Sequence, residues 1–183
     1  MKGIVFTEFL DLVENKFGLE TVDKIIEVAQ PASGAVYTAV GTYDFAEMVA
    51  LLQALSSKTG LSIDHLLLAY SQHFFVVLKD SYPGLLERYR DPIPLLASIE
   101  SHIHVEVRKI YPDAELPTFT VIKQTANYLI MIYSSSRAMY SFGLGLMHEV
   151  FGHFNKKADI LLEKIKPDGT EVKFSITQID KII

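Results

Sequence analysis

The chain has 183 residues, 49% hydrophobic and 21% charged, a composition that predicts one globular domain, 1–183, with a single sizeable core. A net charge of −5 argues against non-specific binding to nucleic acid or an anionic membrane, and no apolar run approaches the roughly 18 residues of a membrane span. There is no cysteine, which excludes disulfides, thiolate ligands and a cysteine nucleophile; Glu8 and Asp11 make the first residues unlike a signal peptide, so cytoplasm is the expected compartment.

The first two thirds read as helices. Residues 4–17 set Val5, Phe9, Leu12, Val13 and Phe17 near one face, and Gly18 follows as a C-cap. A second helix is expected over 20–29, ending before Pro31. Asp44 with Glu47 resembles a capping box, starting a helix that stops at Gly60. Ser62 can cap the next, 63–79, which is apolar on nearly all sides and is expected to be buried. After Asp91–Pro94 a helix is predicted from about 95 to 110, closed by Tyr111 and Pro112. The final third changes to strands over 118–124, 128–135, 158–165 and 170–179, with turns at Ala126–Asn127 and Pro167–Gly169 and a helix over 138–155 between the two hairpins. The predicted class is α+β, an N-terminal helical half packed on a four-stranded antiparallel sheet with an inserted helix.

Three constellations could carry chemistry. If the strand at 128–136 continues, Tyr133, Ser135 and Arg137 alternate onto one face as hydrogen-bond donors with one positive charge. That set suits a carboxylate; equally, Arg137 could pair with an acid of this chain. On the helix before it, His104 shares a face with Ala97, Ser101, Val107 and Tyr111, and the small residues leave room for a flat ligand. The alternative for His104 is a structural histidine bonded to a neighbour, while His102 points away, towards the surface. The third, His148, Glu149 and His153, resembles a zinc hydrolase motif, but its histidines are five apart instead of four. An apolar interior holding a carboxylic lipid against Arg137 is a further reading.

Taken together, His104, Tyr111-Pro112 seven residues later, Pro117 and Tyr133-x-Ser135-x-Arg137 resemble the H-NOX family, the haem nitric oxide/oxygen-binding domain of bacteria and of soluble guanylate cyclases. The resemblance runs from the MKGIV opening to the last hairpin. It implies haem b lying between the two halves, with His104 as the axial iron ligand and Tyr133, Ser135 and Arg137 on the propionates. It also implies Pro117 pressing on the porphyrin, with Ile4, Val5 and Leu144 along the haem faces and Phe74 on the distal helix. In oxygen-binding members a tyrosine five residues after the arginine bonds the gas; here that position is Phe142, which has no donor. An apolar pocket favours nitric oxide, with carbon monoxide a second candidate, and Tyr140 and His73 are the residues that could upset this by entering it. The resemblance implies a sensor that is not an enzyme. Nitric oxide would release His104, relaxing the helix against Pro117. A separate histidine kinase or cyclic-di-GMP enzyme would receive the signal.

Overall fold

Gly18 ends the first helix where the sequence places its stop. Helix α1 (Gly3–Phe17) buries Phe6, Phe9, Leu12 and Val13 as one stripe, and the Gly18 N–H donates to Glu14 O at φ 83°, a value that glycine tolerates. The computed structural model describes residues 1–179, and their contacts form two compact units, Met1–Phe74 and another from Phe75 onward. In the first unit, α2 (Leu19–Ala29) contributes Val22 and Ile25 to the core. Helix α3 (Phe45–Thr59) contributes Met48, Leu51 and Leu55, and Asp44 caps it by accepting from Ala46 N.

Two expectations about these helices need correction. Glu47 does not turn back to complete a capping box. Its carboxylate is buried and accepts from Ser33 Oγ at 2.5 Å and Tyr37 OH at 2.7 Å, stapling the 31–44 loop to α3. Burial, with the Glu47 charge adding to it, pushes the Tyr37 phenol up to about 12. Helix α4 (Ile63–Ser81), whose Ser62 Oγ accepts from His65 N, is not buried all round. Leu66, Leu67, Tyr70 and Phe74 are buried, whereas His65, Gln72 and Val76 are exposed, because its polar residues gather on one side.

The same loop sits on the first turn of α1, with Gly3 N donating to Gly41 O at 2.8 Å and Ile4 N to Ala39 O at 2.9 Å. A Cβ added at Gly3 would lie 1.8 Å from Thr38 O, a backbone atom that cannot swing aside. Gly3→Ala is therefore expected to destabilise the fold by roughly 3 kcal/mol, the upper end for overpacking. Urea unfolding checks this as a fall in midpoint at constant slope. An unchanged midpoint would mean that the loop moves away freely.

In the second unit a short helix, α5 (Pro92–Ala97), begins at Pro92, three residues earlier than expected. Asp91 accepts from Ile93 N at 3.1 Å, and proline at the first position has no N–H to waste. The predicted continuous helix is broken: a π-helical turn (Ile99–Ile103) intervenes before α6 (His104–Ile110). Strands β1 (Thr118–Gln124), β2 (Tyr128–Ser134), β3 (Lys157–Lys164) and β4 (Glu171–Ile179) form one antiparallel sheet in the order β1-β2-β4-β3, with α7 (Tyr140–His153) between the hairpins. Cross-strand rows Leu129↔Ile176, Met131↔Phe174 and Tyr133↔Val172 are all buried. They form the core of this unit with Ile93 and Leu96 of α5 and Met147 and Phe151 of α7, each contributing about 1.5–3 kcal/mol. No single helix among the described residues is long and apolar enough to cross a membrane.

Candidate functional site

His104 is the first residue of α6, and the π turn puts it there. The wider turn carries one more residue than an α-helical one, so phase is lost between Ala97 and His104. Ser101 is consequently exposed while His104 is buried, so the expected common face is lost before His104 and kept only towards Val107 and Tyr111. His104 Nδ1 lies 2.9 Å from Glu100 Oε1, and the same oxygen accepts from Phe119 N at 2.8 Å. Among the described residues none bonds Nε2. Burial lowers the His104 pKa, and Arg108 adds to this, against the opposing pull of Glu100. In the uncharged ring that burial favours, Nδ1–H is donated to the Glu100 carboxylate and a lone pair is left on Nε2. His102 does not reach out to the surface as expected. It is half-buried, and its Nδ1 lies 2.9 Å from Tyr89 OH.

From His104 a line of aromatic rings leads to β2. The Phe119 ring lies 6.0 Å from the imidazole, and Tyr133 lies edge-on to Phe119 at 5.5 Å. Tyr133 faces the sheet core, and its phenol pKa is raised by burial, offset in part by Ser135, the Met139 backbone and the Arg137 charge. Tyr133, Ser135 and Arg137 do come together, but not by strand alternation. The strand stops at Ser134, and a turn follows in which Ser135 Oγ accepts from Arg137 N at 3.2 Å and Ala138 takes φ 49°. Arg137 meets an acid of its own chain: Nη1 donates to Glu115 O at 2.6 Å and Nη2 to the Glu115 carboxylate. The Arg137 side chain is 15% exposed and that of Glu115 81%, so the cation is sheltered while its partner stands in solvent.

Pro117 is half-buried and lies between Glu115 and Phe119 in the segment that meets Arg137 and His104. Phe142 and Leu144 are half-buried on α7. Ile4, Val5 and Phe74 belong to the first unit. There Tyr70 OH donates to Val5 O at 2.6 Å, and the Tyr70 ring lies 5.7 Å from Phe74, which gathers Val5 and Phe74 around one tyrosine. Both residues that could place a donor beside a gas are engaged otherwise. His73 Nε2 is 3.0 Å from Glu8 Oε2. The Tyr140 ring packs on the turn at Gly169, with Lys164 Nζ 4.8 Å from its centre. His148 and His153 are exposed, and no cluster of three or more metal-ligating side chains occurs among the described residues.

Glu100, Phe119 and Glu115 were not anticipated from the sequence. Only Glu100 leaves a readable signal there, since it stands four residues before His104 at helical spacing.

The family described as Haem-NO-binding matches residues 2–162. The H-NOX protein from K. algicida, solved in the unliganded Fe(II) state, is 67% identical with a TM-score of 0.97, over 100% of this chain and 99% of that one. The H-NOX from Shewanella woodyi, solved with IWP-051 in the Fe(II)CO state, is 34% identical with a TM-score of 0.84, over 100% of this chain and 97% of that one. An H-NOX protein from S. oneidensis in the Fe(II)NO state has the same fold, with 24% identity and a TM-score of 0.89 over 98% of this chain and 100% of that one. Comparison with curated proteins returns no match. With the helices and four-stranded antiparallel sheet in place and the family matched along most of its length, the chain belongs to the H-NOX family of haem-based gas sensors.

Proposed function

We propose that this protein senses nitric oxide through a ferrous haem held by His104 and passes the signal to a separate effector protein. One observation carries the reading: a buried imidazole whose Nδ1 is committed to Glu100 and whose Nε2 has no partner among the described residues. When bound, the haem would supply an iron able to take up nitric oxide or carbon monoxide.

The residues present fit that group. A neutral histidine is a common haem ligand, and the sequence has no cysteine for a thiolate bond or a thioether attachment, which favours haem b. Arg137 already holds a carboxylate in the structure, that of Glu115. An exposed partner of this kind contributes only about 0–1 kcal/mol. A buried propionate would therefore displace it, with the Tyr133 and Ser135 hydroxyls adjoining. Pro117, between these two anchors, would lie against the porphyrin, with Phe142 and Leu144 of the same unit supplying apolar surface.

His104 is well placed to move. It begins a helix of seven residues and follows a π turn, across which its N–H donates to Ile99 O, a wide and uncommon turn frequent at functional sites. Displacement of its imidazole would load the turn and, through Glu100, β1. This supports a two-state element biased by ligand. The effector, a histidine kinase or a cyclic-di-GMP enzyme by family resemblance, would respond to that displacement.

The test is the absorption spectrum of the reduced protein before and after nitric oxide, and in air. The expected result is a five-coordinate ferrous spectrum that shifts with nitric oxide and forms no stable oxygen complex. A protein purified under haem-sufficient conditions without a Soret band would return the carboxylic-lipid reading.

A further inference from the structure

We propose that Glu100 is a positioning residue that sets how strongly His104 donates to iron and ties that ligand to β1. The proposal rests on the haem reading above. The Glu100 Oε1 atom receives two bonds, from His104 Nδ1 at 2.9 Å and from Phe119 N at 2.8 Å. A carboxylate has only acceptors, so Nδ1 is the protonated nitrogen and Nε2 the donor to metal. Negative charge behind an imidazole N–H raises the basicity of the opposite nitrogen and fixes the ring's rotation. The second bond fastens the carboxylate to the main chain at the start of β1, two residues beyond Pro117. His104 therefore cannot turn or withdraw without straining or breaking a bond that also belongs to the sheet. Glu100 reaches both partners because it lies inside the π turn, one residue after that turn begins. The turn thereby places the carboxylate as well as the ligand.

The experiment uses the full haem-loaded chain. Glu100→Gln keeps a side-chain oxygen that can accept from Phe119 N while removing the charge behind His104. In the ferrous state the iron–histidine stretching band is expected to move to lower frequency in resonance Raman spectra. The ferric/ferrous potential is expected to move positive, and haem transfer to an apoglobin acceptor to accelerate by roughly tenfold. A purely structural Glu100 would move neither band nor potential, and wild-type values for both overturn the proposal. A measurement on the unsubstituted protein covers a variant that fails to fold: in the carbon monoxide complex the His104 Nδ1 proton should exchange slowly with solvent, and rapid exchange overturns the proposal. His104→Gly separates the two levels. An unchanged spectrum in that variant removes the haem-ligand reading itself, whereas a changed one beside an unaltered Glu100→Gln removes only the role of Glu100.

Discussion

Replacing His104 with glycine is expected to abolish the iron–histidine band and to accelerate haem loss by more than the roughly 10–100-fold that removing a partner behind a metal ligand costs. No other described imidazole can take over. His102 is held by Tyr89, and His73 is paired with Glu8. His65 on α4 and His148 and His153 on α7 stand exposed. The glycine leaves a space shaped for imidazole between Glu100 and the Phe119 ring. Added imidazole should therefore restore a five-coordinate ferrous spectrum, with Glu100 still accepting its N–H. The carboxylate anchor at Arg137 is untouched, so haem should still bind, more weakly. A variant whose spectrum equals wild type without imidazole would exclude His104 as the ligand.

The parts of the fold set by local chemistry were legible from the chain alone. Gly18, Gly60, Asp44 and Ser62 end or begin helices where their conformational and capping preferences require. Strand lengths and the two hairpin turns follow from alternation and turn residues alone. What failed depended on partners distant in sequence. Glu47 has the spacing of a capping box, but Ser33 and Tyr37, fourteen and ten residues away, compete for its carboxylate and win it. The break in the 95–110 helix has no strong local signature, because Ser98 and Ser101 are compatible with a regular helix; the packing of His102 and His104 favours the extra residue. The Tyr133, Ser135 and Arg137 group was identified for a partly wrong reason. Period-two alternation explains Tyr133 alone, and Arg137 comes round in the turn after the strand, where Ser135 Oγ accepts from Arg137 N and Ser135 O from Ala138 N. Glu115, twenty-two residues from Arg137, could not have been assigned as its partner by spacing.

The Phe142→Tyr substitution is the second large effect, and it should convert gas selectivity more than gas binding. Phe142 is the third residue of α7, half-buried, and it occupies the position at which oxygen-binding relatives by resemblance carry a tyrosine. Dioxygen on ferrous iron carries substantial negative charge, and a hydrogen bond to a charged acceptor contributes about 1.5–3 kcal/mol. That corresponds to a roughly 10–100-fold slower loss of oxygen, read by stopped flow after rapid mixing with a scavenger. Nitric oxide, with much less charge to stabilise, should change its affinity by no more than about threefold. The added hydroxyl has a cost when oxygen is absent, since a poorly partnered polar group destabilises by about 1–3 kcal/mol; at a half-buried site the lower figure applies, so the variant should fold. Tyr140 is the matched control. Its ring is held on the turn at Gly169 beneath Lys164, so Tyr140→Phe should leave the oxygen and nitric oxide responses unaltered. Slow oxygen loss in Tyr140→Phe and wild type alike, with none added by Phe142→Tyr, would place the discriminating donor elsewhere and refute the apolar-pocket account. Fast loss in wild type and slow loss in Phe142→Tyr alone would assign the exclusion of oxygen to one missing hydroxyl.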